Sequence, residues 1–194
     1  MPKIVDHEKR RIAIATAAVG VISEKGLEAT KLSDIAKLAS MTTGSVTHYF
    51  KDKDAVLMAA LEMSYHTMFA DMERGSSSKD CSFSDIIMRV LPITPKNRKA
   101  MKVWMAFCSR SLAVPEVSLH QKESHLRWHQ KVKQQLKSHC ERTGMNLPED
   151  ADDLCEGLTA QINGLIIRGL TEETDWPEAR QRKLLKTYLS QIGF

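Results

Sequence analysis

With 194 residues, 42% hydrophobic and 27% charged, the chain has the make-up of a globular protein able to bury about 70% of its unfolded surface, which excludes wholesale disorder. The longest apolar stretch, Ile12 to Ile22, has eleven residues including Thr16, far short of the roughly 20 that span a bilayer, so no membrane partner is expected. The net charge of +4 is uneven: residues 1–74 balance ten bases against ten acids, residues 96–142 hold eleven against three, and residues 143–194 five against nine.

Lys9-Arg10-Arg11 ahead of the apolar stretch imitates a signal peptide. However, Asp6 and Glu8 put acids in the would-be basic region, and Ser23-Glu24-Lys25-Gly26 offers no small-x-small cleavage site. Cys81, Cys108, Cys140 and Cys155 are scattered and form no CxxC pair, which predicts reduced thiols and a cytoplasmic protein.

Six prolines and β-branched residues without alternation predict an all-α fold. A first helix is expected from about Asp6 to Lys25, with Ile14, Ala17, Ala18, Val21 and Ile22 on its inner stripe and Gly26 as its stop. A short helix from about Leu32 to Ala39 turns Leu32, Ile35, Ala36 and Ala39 inward. After a break at Ser40-Met41-Thr42, a second short helix covers Thr43 to Tyr49, capped by Thr42 or Thr43. A long helix from Lys53 to about Glu73 aligns Val56, Leu57, Ala60, Leu61, Ser64, Met68 and Met72, and Gly75-Ser76-Ser77-Ser78 reads as a linker. Further helices are expected at about 82–92, 97–113, 116–142, 150–171 and 177–192, with Pro95, Pro115, Pro148 and Pro177 at or near their starts.

Two seven-residue helices cannot be stable alone. Such a pair persists when a neighbour covers its back and its outer face has a task, as in a helix-turn-helix whose second helix enters the DNA major groove. Thr43, Ser45 and Thr47 are small hydroxyl residues suited to base edges, and Gly44 lets the backbone approach closely. His48, Tyr49 and Lys53 suit phosphates, helped by the amides at the starts of the second and fourth helices. The bland alternative is a helical hairpin with a polar surface. The basic block near 116–142 likewise reads first as a solvated helix face, and its other use would be to bind a protein or membrane surface.

The stretch Gly26 to Lys53, above all Ile35-Ala36, Thr42-x-Gly44 and His48-Tyr49-Phe50-Lys51-Asp52-Lys53, resembles the DNA-binding domain of TetR-family regulators. Ala100-Met101-Lys102-x-Trp104-x-Ala106-Phe107 and Gly157-Leu158-x-Ala160-x-Ile162-x-Gly164-Leu165-x-x-Arg168 are similar to the choline-responsive BetI subgroup of that family. Lys31 stands where the family has a second hydroxyl at the start of the second helix, so Thr30 or Ser33 takes over the capping and phosphate contact, with Lys31 adding charge and Thr42 beside the reader. Asn163 and Ile166 replace an acidic residue and a tryptophan of the subgroup. The resemblance implies a DNA-binding domain over 1–52 and a helical effector-binding and dimerisation domain over 53–194. The partners it implies are a pseudo-palindromic operator and a second copy of the chain, paired through the helices near 150–171 and 177–192. Gly157, Gly164 and Gly169 would allow close approach there.

Met101, Trp104, Met105, Phe107, Cys108 and Trp128 are candidates for an effector pocket, where aromatic faces can cage a quaternary amine. The same residues at helical spacing also suit ordinary core packing. Asn163 on an apolar face either bonds neighbouring backbone or orients a ligand. His125 and His129 form an i,i+4 pair near His120 and His139, but no acid or cysteine stands at the matching turn, so no metal is expected. No GxSxG, HExxH or glycine-rich phosphate loop occurs, and neither catalytic residues nor a cofactor are expected.

Overall fold

The computed structural model describes residues 7–76 and 81–194. These residues form α1 (His7–Lys25), α2 (Leu32–Leu38), α3 (Thr43–Tyr49), α4 (Lys53–Ser76), α5 (Phe83–Met88), α6 (Pro95–Ser111), α7 (Pro115–Thr143), α8 (Ala151–Thr171) and α9 (Glu178–Gln191), with no strand among the described residues. The expected fold class, all-α with an N-terminal helix-turn-helix and a C-terminal helical domain, is the one observed.

Helix ends follow local chemistry. α1 stops where Gly26 takes φ +81°, a region closed to most side chains. α2 ends in a Schellman turn: Met41 donates its amide to the Ala36 carbonyl (2.8 Å) and Ser40 to that of Lys37 (3.1 Å). Ser40 therefore sits at φ 55°, an unusual position for a residue other than glycine. The Thr42 hydroxyl caps α3 by accepting from the Ser45 amide at 3.1 Å. Thr94 caps α6 through the Asn97 amide at 3.1 Å, and Pro95 and Pro115 occupy the first turns of α6 and α7.

Two expectations change. The helix expected at 82–92 ends at Met88; Val90 and Leu91 are fully buried but held by i→i−3 turn bonds, so their apolarity imitated a longer helix. Gly75 and Ser76 continue α4 instead of opening a linker. A Cβ at Gly75 would lie 2.9 Å from the Arg89 side chain and 3.1 Å from that of Ile86, so this glycine serves close helix packing. Ser77, Ser78 and Asp6 lie outside the described residues.

One apolar core runs through the molecule. Ile14, Ala18, Ile22, Ile35, Val46 and Phe50 close the first three helices around each other. α4 carries that core onward: Val56, Leu57, Ala60, Leu61, Ser64, Met68 and Met72 are all buried. Gly20 lets α2 press on α1, since a Cβ there would meet Leu38 Cδ2 at 2.8 Å. The Lys25–Asp34 ion pair (3.0 Å) ties the end of α1 to α2 and holds the Asp34 carboxyl below its usual range.

Candidate functional site

The short helix α3 is anchored at three points. Val46 is fully buried on its inner side, and Phe50 follows it into the core. At its C-terminus the Arg11 guanidinium donates to the Tyr49 carbonyl and lies 4.2 Å from the Phe50 ring centre, a cation placed at the negative end of the helix. The His7 ring packs 4.5 Å from Tyr49. Arg11 was missed in the sequence reading, although a charged residue three positions before Ile14 and seven before Ala18 lies on the apolar stripe of α1 and needs a partner.

With its back fixed, α3 presents Thr43, Gly44, Thr47 and His48 as exposed residues, with Ser45 and Tyr49 half-buried. Thr47 donates to the Gly44 carbonyl at 3.0 Å, and the Ser45 and Thr42 hydroxyls are 3.0 Å apart, so these side chains are ordered against their own helix. A Cβ at Gly44 would meet its nearest neighbour, Thr42 Oγ1, at 3.9 Å. Among the described residues nothing requires a glycine here, and it leaves a narrow outer face on α3.

The expected phosphate contacts divide. Lys31 and Ser33 are exposed at the start of α2, whereas Thr30 is fully buried and donates to the Gly26 carbonyl at 2.7 Å. Its hydroxyl is consumed in closing the α1–α2 turn, which corrects the expectation that it touches phosphate. The cap residue of α2 is Lys31, without a side-chain cap bond, so neither Thr30 nor Ser33 caps that helix. Lys53 is half-buried in the first turn of α4. The Ala55 amide there donates to Asp52 at 2.7 Å, so a carboxylate occupies part of the helix end expected to be open to phosphate.

The C-terminal helices enclose a cavity of about 370 Å³ between α4, α6, α7 and α8. From α6 come Trp104, Cys108 and Ser111; from α7, Gln121, Lys122, His125 and Trp128. Tyr65 and Met68 of α4 and Thr159, Ile162, Asn163 and Ile166 of α8 complete the wall. Four of the seven expected pocket residues, Trp104, Cys108, Trp128 and Asn163, therefore share one cavity. Met101 is fully buried core, Met105 lies outside this wall, and Phe107 lines a separate cleft beside Asp54 and Arg110. The periodicity that marks α6 does not tell its core side from its cavity side.

The cavity is held rigidly. The Trp128 indole donates to the Thr159 hydroxyl at 3.0 Å, and that hydroxyl donates to the Cys155 carbonyl at 2.8 Å. Tyr65 donates to Gln121, whose amide approaches Cys108 Sγ at 3.6 Å. Burial pushes the Cys108 thiol up to about 11, with Gln121 partly offsetting it, so it stays protonated. Burial also raises the Tyr65 phenol.

Near the histidine pair the acids missing from the sequence pattern arrive from α8. His129 Nε2 lies 3.0 Å from Asp152 and its Nδ1 2.9 Å from Glu156. Lys133 holds Asp152 at 2.7 Å, and the two partners together depress that carboxyl. Among the described residues no group of three or more such side chains could hold a metal ion, and no helix is long and apolar enough to cross a membrane.

Residues 14–60 match the family model "Bacterial regulatory proteins, tetR family", and residues 82–193 match "BetI-type transcriptional repressor, C-terminal". The chain is 29% identical over 197 residues to the HTH-type transcriptional regulator BetI of Burkholderia mallei, covering 99% of this chain and 97% of that one. A TetR transcription regulator from Haloarcula marismortui superposes with a TM-score of 0.76 at 16% identity, covering 93% of this chain and 94% of the other. A transcriptional regulator from Saccharomonospora viridis, solved in complex with choline, superposes with a TM-score of 0.78 at 21% identity, covering 94% and 96%.

Proposed function

Because the chain belongs to the TetR family and carries a BetI-type C-terminal repressor domain, we propose that it works as a dimer on a pseudo-palindromic operator and lets go when a small molecule enters the α4–α6–α7–α8 cavity. It is a DNA-binding transcriptional repressor and not an enzyme. The observation that carries the ligand-responsive reading is the double role of α6. Trp104, Cys108 and Ser111 wall the cavity, while Arg110 of the same turn reaches Asp54 at 3.1 Å and Glu28 at 3.8 Å. A ligand that favours one setting of α6 thereby favours one setting of the DNA-reading unit. Its leverage equals its difference in affinity for the two settings.

In this reading α3 lies in the major groove, with Thr43, Ser45 and Thr47 reading bases and Lys31, Ser33, Thr42, His48, Tyr49 and Lys53 near the backbone. The dimer forms through α8 and α9. Gly157, Ala160, Gly164 and Ile167 make an exposed stripe along α8, and Leu184 and Tyr188 stand half-buried on α9. Gly169 takes no part in it: a Cβ there would meet the Gln181 side chain at 2.8 Å within the same chain. For the effector, the ring faces of Trp104 and Trp128 suit a quaternary ammonium head, and the choline complex of the Saccharomonospora protein supports that chemistry.

The test is binding to a duplex carrying the protein's own promoter, with competitor DNA and over a range of salt. Specific binding survives competitor and weakens with salt at a slope of about −0.9 per phosphate neutralised. Lys53→Ala weakens all sequences alike and flattens the slope by about 1, whereas Thr47→Ala shifts sequence preference by about 1–3 kcal/mol at the altered base. A sequence preference unmoved in Thr47→Ala overturns the assignment of α3 as reader.

A further inference from the structure

Resting on the effector reading just given, we infer that the ligand of this cavity is a trimethylammonium carboxylate, a zwitterion whose acid group is held at the α7 edge by Lys122, and not a plain cation such as choline. The wall contains no Asp or Glu, so a cationic ligand finds no opposite charge there, and its attraction rests on ring faces and neutral polar groups. The charge that is present, on Lys122, has the other sign. Lys122 and His125, one turn apart on α7, both line the cavity and are exposed at its edge. Lys122 has no carboxylate within ion-pair distance among the described residues, and the acid nearest His125 is Glu156 at 3.7 Å. Lys122 and His125 also border the adjoining outer groove, which Glu123, Asp152, Asp153 and Glu156 line; there Lys133 and His129 hold Asp152, and His129 also meets Glu156.

Inside, most polar groups are already engaged. The Thr159 hydroxyl is spent between Trp128 and the Cys155 carbonyl, and Tyr65 is spent on Gln121. Asn163 lines the cavity without a hydrogen-bond partner among the described residues, leaving two amide donors for a ligand acceptor. Asn163 therefore brings a neutral amide, with two donors and a carbonyl acceptor, and no negative charge to the wall. Trp104 from α6 and Trp128 from α7 offer apolar and π surface for the methylated nitrogen, while Lys122 supplies the charge-assisted bond for the acid. At about 370 Å³ the space lies at the small end of ligand sites, matching a compact zwitterion.

Titration calorimetry of the full chain with glycine betaine and with choline separates the two, since both carry the same trimethylammonium group and differ at the other end. Glycine betaine is expected to bind at least about tenfold more tightly. Lys122→Gln should remove that advantage and leave choline unchanged, and Lys122→Glu should reverse the order. The exposed, unpaired position of Lys122 leaves folding intact, which a thermal melt of each variant verifies. Equal or tighter binding of choline to the wild type, or a preference unmoved in Lys122→Glu, overturns the inference while the effector reading stands. Failure of both compounds to bind the wild type overturns the quaternary-ammonium reading itself and this inference with it.

Discussion

Arg110 of α6 and Asp54 of α4 meet at 3.1 Å, and the same guanidinium lies 3.8 Å from Glu28 in the turn after α1. One side chain thus ties α6, a wall of the cavity, to the start of α4 and to the turn after α1 within the DNA-reading unit. Both carboxylates are largely exposed, so the tie adds little to global stability, roughly 0–1 kcal/mol. Its value is positional.

Replacing Arg110 by Ala should therefore leave the melting temperature nearly unchanged and blunt communication. In fluorescence anisotropy with a labelled promoter duplex, the loss of DNA affinity caused by a cavity ligand should shrink several-fold, against a typical coupling of about 1–3 kcal/mol. Ligand affinity measured without DNA should stay within about twofold. An undiminished ligand effect on DNA binding places the route elsewhere.

Arg11→Ala removes the donor from the Tyr49 carbonyl and the cation from the Phe50 ring. A charge-assisted bond of this kind contributes about 1.5–3 kcal/mol. Hydrogen exchange at the amides of Val46, Tyr49 and Phe50 should accelerate, and operator affinity should fall for every sequence. Arg11→Lys should recover part of both. Unchanged exchange over 46–50 in the alanine variant would remove Arg11 from the support of α3.

Gly164 offers a clean test of the dimer, because a Cβ there meets no atom within 4 Å inside the chain. Gly164→Arg should leave the monomer folded, and even gain up to about 1 kcal/mol of helix propensity. If the α8 stripe is the interface, sedimentation should show a monomer that has lost operator binding. A variant that still sediments as a dimer excludes this face.

His139 is packed between Phe83 (6.0 Å) and Phe194 (5.9 Å), and burial, aided by Arg142, lowers its pKa below the usual 6.5. The native state then binds the proton less readily than the unfolded chain. The stability it contributes is complete above pH 6.5 and declines as the pH falls from there toward the folded value. In urea denaturation at pH 7.5 and 5.5, His139→Phe should lose less stability between the two than the wild type. Equal losses would show that His139 titrates normally.

Much of this architecture was legible because single residues mark boundaries: Gly26, Thr42, Pro95 and Pro115 each stand where a helix starts or stops. The short helix α3 was legible for the same reason, since its cap and its small outer residues are local properties. The cavity was half legible. Trp104, Cys108, Trp128 and Asn163 share it, but Met101 and Phe107 on the same helix as Trp104 turn into the core. Deciding between those sides needs the crossing of α6 with α4, a long-range property. Tyr65, Gln121 and Lys122 were missed because they look like ordinary helix residues until four helices converge. Thr30 shows the reverse error: a hydroxyl at a suitable place in the sequence is used up by a backbone carbonyl four residues away.

The fold itself has room for a methyl group at Gly44, so in the proposed reading the narrowness of α3 there serves the approach to DNA and not the packing. Gly44→Ala would therefore yield subunits that assemble normally yet stand off the duplex. Co-expressed with the wild type, they would recruit healthy subunits into mixed pairs with one blunted reader. Such a variant would act as a poison of regulation in the cell, switching genes on through contamination of the repressor pool and not through its depletion.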